Sequence, residues 1–236
     1  MGLSTGILFS RYRLNKSNKY LGADIVMGFG SFKTDADVAE KFNLIIKEGF
    51  FIETLHFNIP ENKRDEIKEL LDDPLAFVSE YAICEDIIKP ILRVLDKAYK
   101  EFRVWSHIIY DVDASVNLSG TPDFLIARPK KVGIGNLIDV PPLCVIEAKK
   151  RDWDNAWGQA LAESYAASTQ GATICYAVIT DGKQWQFGKY TKESLLFLKD
   201  KRNLQAEDAP NEENLQKLFD TLNWIFAEAS KVVIER

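Results

Sequence analysis

The stretch that decides the fold is LCVIEAKKRDW, residues 143–153. Leu143, Cys144, Val145 and Ile146 read as a buried strand, because a short apolar run is what a strand covered on both faces needs. The run then gives way to Glu147, Lys149, Lys150, Arg151 and Asp152. Side chains two apart on a strand share a side, so Glu147 and Lys149 are expected to project together over Val145. Ile146 and Ala148 then face the other way. Taken alone, this spacing describes a surface ion pair at a strand end, worth under about 1 kcal/mol.

Working outward changes that reading. Pro122-Asp123 opens a second apolar strand, running from Phe124 to Ala127. If the two strands pair, the acids at their ends converge. Two close carboxylates repel each other unless a cation lies between them. Oxygen donors of this kind suit Mg2+, which binds through one or two carboxylates and keeps several waters. Lys149 would then stand beside the ion, within reach of a phosphate oxygen or an attacking water.

The flanking segments place these strands in an α/β chain. FVSEYAICEDIIKPILRVLDKAYKEF, residues 77–102, has the apolar spacing of one long amphipathic helix, with a kink or break predicted at Pro90. WDNAWGQALAESYAASTQG, residues 153–171, predicts a helix capped by Asp154 and stopped by Gly171. ATICYAVIT reads as a central strand, Asp181-Gly182 as a hairpin turn, and KQWQFGKY as the return strand. NLQKLFDTLNWIFAEASK, residues 214–231, is a closing amphipathic helix. Upstream, Asp35 is the expected cap of a short helix, FFIETLHFNI (50–59) an expected strand, and Pro60 the start of a polar helix. The expected architecture is a mixed central sheet flanked by helices. Residues 1–75 are set apart as an N-terminal extension packed on the core, and 76–236 as the core with its C-terminal helix.

Pro122-Asp123 followed by Glu147-Ala148-Lys149, with 23 residues between the acids, resembles the PD-(D/E)XK nuclease superfamily, the restriction-endonuclease-like fold. Over about residues 78–190 the chain is similar to the N-terminal nuclease domain of type I restriction enzyme R subunits. The resemblance implies metal-dependent hydrolysis of phosphodiester bonds in DNA, with Mg2+ or Mn2+ as cofactor. Asp123 and Glu147, with the backbone carbonyl of Ala148, would hold the ion. Lys149 would stabilise developing charge or position the water. A glutamate from the preceding helix completes such sites. Glu80 and Glu85 both match, and Glu80 is preferred. Gln159 resembles the polar position contributed by the following helix, and also reads as a helix-surface glutamine. Lys130, Lys131, Lys150 and Arg151 form either a phosphate-facing patch or a solvated loop face. Trp153 and Trp157 either stack on bases or pack their helix on the sheet. A homodimer is an expectation of this reading, since cutting two strands needs two sites. The alternative is an inactive nucleic-acid-binding or assembly module that keeps the fold.

Composition sets outer bounds. The 236 residues carry a formal net charge of −5, unlike a dedicated DNA-binding domain. Cys84, Cys144 and Cys175 are widely spaced in apolar contexts, so buried reduced thiols in a cytoplasmic protein are expected. With two histidines, His56 and His107, a zinc site of the usual Cys/His type is not expected, and His107 reads as structural, in an apolar strand with no nearby partner. No apolar run is long enough to span a membrane. The opening MGLSTGILFSRYRLNK has no basic start of the kind a signal peptide carries.

Overall fold

The computed structural model describes residues 28–130, 138–232 and 234. The opening segment and Lys131 lie outside them. Its centre is an eight-stranded mixed sheet. In spatial order the main path runs β1 (Ile45–Gly49), β9 (Leu196–Asp200), β8 (Gln184–Thr191), β7 (Ile174–Thr180), β6 (Ile138–Ala148), β5 (Phe124–Pro129) and β2 (Arg103–Ser106). A short β10 (Leu204–Gln205) pairs with β8, while β3 (Tyr110–Asp113) and β4 (Leu118–Gly120) form a separate ribbon.

Strands β6 and β7 are parallel and are joined by helix α5 (Trp153–Thr169). Parallel neighbours require such a crossover, whereas β7 and β8 are antiparallel and need only the tight Asp181-Gly182-Lys183 loop. There Asp181 Oδ1 accepts from the amides of Lys183 and Gln184. Gly182 takes φ +91°, where a side chain would also press on Phe77 and Ile83.

Alternation along β6 builds two cores. Cys144, Ile146 and Ala148 pack with Ile83, Ile87 and Ile88 and with α6 (Asn214–Ser230). Val145 faces α5, packing with Ala160, Leu161, Phe29 and Val38. The segment upstream of residue 76 is built into both layers. It supplies the edge strand β1, α1 (Asp35–Phe42), α2 (Glu61–Asp72), and the buried side chains Ile52, Ile59, Ile67 and Leu71.

Several expectations are corrected. FFIETLHFNI is not a strand; the strand lies just before it, at β1. Side chains replace ladder partners there: Asp200 accepts from the amides of Phe51 and Ile52, and Asp220 from that of Phe57. The cap of α1 is Thr34, in a reciprocal box with Asp37, and Asp35 lies one position inside. Asp152, not Asp154, caps α5, its carboxylate accepting from Asn155 N at 3.1 Å. That helix ends at Thr169, with Gln170 as its C-cap and Gly171 following at φ +107°.

The long helix is shorter than its periodicity predicts and ends at Asp96. Its path is α3 (Glu80–Ala82), a π-helical turn (Ile83–Ile88) and α4 (Lys89–Asp96). Proline cannot donate to the preceding turn and crowds it, and a wider turn relieves both problems. Pro90 accordingly sits at the start of α4, directly after the π turn.

Candidate active site

In the β5–β6 register Phe124 lies opposite Ile146 and Leu125 opposite Val145, so continuing one step places Asp123 opposite Glu147. Each acid is tied to a backbone amide of the opposite strand's end. Asp123 Oδ2 accepts from Ala148 N at 2.8 Å, and Glu147 Oε1 accepts from Asp123 N at 3.3 Å. The second Glu147 oxygen accepts from Gln159 Nε2 at 3.0 Å. A carboxylate at a fully buried position, 1% exposed, is thus held at both oxygens.

Lys149 lies one residue past β6, and its amide donates to Thr180 O across the β6–β7 seam. Its ammonium reaches across to Glu80 Oε2 at 3.5 Å. Glu80 also receives the Lys150 amide at 3.4 Å. Glu85 points elsewhere and pairs with Lys89 at 2.5 Å. The pitch of the helical run separates the two acids, and Glu80 is the one beside Lys149.

The electrostatics are those of crowded acids. Burial, and then the charge of Asp123, pushes the Glu147 carboxyl up to about 8. Asp123 is raised by burial too, against the opposing pull of the Ala148 amide and Lys149. Burial alone would lower Lys149, but the charges of Glu147, Glu80 and Asp123 outweigh it and hold the ammonium protonated.

Sequence reasoning missed Glu163. It lies one helical turn beyond Gln159 on α5 and is fully buried, with no donor at either oxygen among the described residues. Burial, followed by the charge of Glu147, drives its carboxyl far above the usual range. As anions the two carboxyl groups repel each other, which favours the neutral form of Glu163. The i, i+4 spacing of Gln159 and Glu163 was the available signal.

His107 is also corrected. It follows β2 rather than lying within it, and it has partners: Nε2 is 3.5 Å from Asp123 Oδ1, and Nδ1 is 2.8 Å from Ser106 Oγ. Among the described basic residues, Lys130 lies apart from Lys150 and Arg151. Lys130 follows the far end of β5, about 23 Å from Asp123 along the strand at ~3.3 Å per residue. Lys150 and Arg151 are exposed beside the acids, with Lys150 Nζ on the Val78 carbonyl at 3.2 Å. Trp157 is a core residue, packed edge-on to Phe197 with its Nε1 on Gln186, and Trp153 is half-buried against the same cluster.

The donor set fits a hard divalent cation. Burial raises both carboxyls, and Asp123 adds its charge against Glu147; a cation bound between them would relieve this through oxygen ligands. No protein-family model matches the chain, and no curated protein matches it. No helix among the described residues is long and apolar enough to cross a membrane.

Proposed function

We propose that the chain is a nuclease dependent on a divalent metal, hydrolysing phosphodiester bonds in DNA with Mg2+ or Mn2+. The observation that carries this reading is the reciprocal lock between Asp123 and Glu147, with Lys149 next in the chain. Asp123, Glu147 and the Ala148 carbonyl would hold the ion, which when bound neutralises the acids and polarises a phosphoryl oxygen.

The chain's own groups have separable tasks. Gln159 and Glu163 orient Glu147 from the α5 side. Glu80 holds Lys149 at the site mouth, at the cost of half-neutralising it. Once an incoming phosphate competes with Glu80, the ammonium is placed to offset charge developing on phosphorus. The Lys150 side chain, on the exposed rim, is placed to meet backbone phosphates.

The test is cleavage of plasmid and single-stranded DNA by purified protein with Mg2+ or Mn2+. Asp123→Ala and Lys149→Ala are expected to lower the rate by at least ~100-fold, as loss of one charge-stabilising group does. Equal rates in both variants and the parent would remove the proposal. The net charge of −5 favours a second reading, a non-catalytic module. That reading expects no Mg2+ affinity dependent on Glu147, as read by calorimetry with Glu147→Gln.

A further inference from the structure

Three donors of a different chemical kind converge beside these acids. The Cys84 sulfur, a His107 ring nitrogen and an Asp123 carboxylate oxygen all lie within 4.8 Å of one another. We propose that Cys84, His107 and Asp123 form a site for a thiophilic divalent cation of the Zn2+ class, with a fourth position open to water. This goes beyond the nuclease reading, sharing Asp123 with it but resting on two residues it does not use.

The separations suit such an ion. Tetrahedral zinc has bonds of about 2.0–2.3 Å to nitrogen, oxygen and sulfur. Its ligand atoms then stand roughly 3.5 Å apart, so a closure of about 1 Å completes the set. A sulfur–nitrogen–oxygen triad selects zinc-like ions over Mg2+, which takes oxygen almost alone.

Each ligand carries an independent mark. Cys84 is buried within the π-helical turn Ile83–Ile88, a rare local form that recurs at functional sites. The Cys144 and Cys175 thiols donate to backbone carbonyls, whereas the Cys84 thiol makes no hydrogen bond among the described residues. His107 has φ +50°, a strained conformation for a non-glycine residue. It is held there by its amide, which donates to the Asp123 carbonyl at 3.0 Å. Ser106 Oγ engages Nδ1 at 2.8 Å, leaving Nε2 toward Asp123. Metal-bound histidines are oriented in this way by a partner on the other nitrogen. The 3.5 Å gap from Nε2 to Asp123 Oδ1 is long for a hydrogen bond and matches the spacing of two ligands on one such ion.

The surroundings favour positive charge. Burial, then the carboxylates of Asp123, Glu147, Glu80 and Glu85, pushes the Cys84 thiol up. Only a cation with strong affinity for sulfur displaces its proton, which passes to solvent as the metal–sulfur bond forms.

Co2+ is the probe, because a thiolate bound to it gives a near-ultraviolet charge-transfer band independent of any activity. One equivalent added to the metal-free full chain is expected to produce that band, and one equivalent of Zn2+ to abolish it. Cys84→Ser should lack the band. His107→Asn, at an exposed position where asparagine accepts the positive φ, should weaken Co2+ binding by at least ~10-fold. Glu147→Gln and Lys149→Ala should keep it. Absence of a band in the parent, its survival in Cys84→Ser, or unchanged affinity in His107→Asn would overturn the site. If Cys84→Ser does not fold, the His107→Asn measurement decides alone. A protein that shows the band but cuts no DNA retires the nuclease reading only. One that cuts DNA without the band retires this inference only.

Discussion

Burial and the neighbouring Asp123 charge make Glu147 costly to ionise. A carboxyl whose pKa rises from 4.5 to about 8 on folding binds its proton more tightly in the folded state than in the unfolded one. Stability therefore falls as pH climbs from about 4.5 to about 8 and stays low above that. Removing the charge should reverse the loss. Glu147→Gln is expected to melt higher than the parent by several degrees at pH 9 without metal, with the gap closing toward pH 5. Calorimetric melting across that range checks it, and a gap independent of pH would show that Glu147 is not strained by burial. The pair Asp123 and Glu147 was legible in the sequence because each acid ends an apolar run. Glu163 was not, since a glutamate within an alanine-rich helix looks like surface until the helix is laid against the sheet.

Elements matter through how closely they approach. Helix α5 can present Gln159 and Glu163 to β6 because Gly158 lets the chain at Phe32 and Thr34 lie against it. A Cβ there would stand 2.9 Å from Phe32 O and 3.0 Å from Thr34 O. Gly158→Ala is expected to cost about 1–3 kcal/mol, the range for overpacking, despite alanine's better helix propensity. Urea unfolding measures it, and a stabilised variant would mean that the 32–34 segment yields freely. At the other end of the sheet, Asp200 ties β9 to the segment after β1. Burial alone would raise its pKa, but Arg202 and the amides of Ile52 and Phe51 outweigh that and hold it at about 2. A depressed carboxyl stabilises above its unfolded pKa of 3.8 and loses that contribution as pH falls through 2. Asp200→Asn should therefore cost about 2 kcal/mol at pH 7 and almost nothing at pH 2. Comparing denaturant midpoints at the two pH values tests this. Element types were readable from local patterns at β7, α5 and α6, whereas β6 begins at Ile138 and runs through Pro141-Pro142, which read as a loop. The failed strand at 50–59 was not readable, because its amides are satisfied by aspartates about 150 residues away in the chain.

Across the whole molecule, the division at residue 75 does not describe a separable piece. Ile52, Ile59, Ile67 and Leu71 are buried in the same core as β6 and α6. At about 1.5–3 kcal/mol each, their burial rivals the ~5–15 kcal/mol net stability of an ordinary domain. A fragment of residues 76–236 is expected to lack a cooperative thermal transition and near-ultraviolet dichroism. A sharp transition in that fragment would show the N-terminal region to be dispensable.

By itself the sequence determined the mixed α/β class, the two acid-tipped strands and the helices beside them. These depend on hydrophobic period and turn chemistry, which act within a few residues. Tertiary structure alone decided that Glu80 rather than Glu85 meets Lys149, that Glu163 lies beneath Glu147, and that Cys84, His107 and Asp123 share one point. Such choices depend on strand register and on which helix covers which face. They are set when distant segments pack, because only then does each side chain acquire the neighbours that fix its charge and contacts.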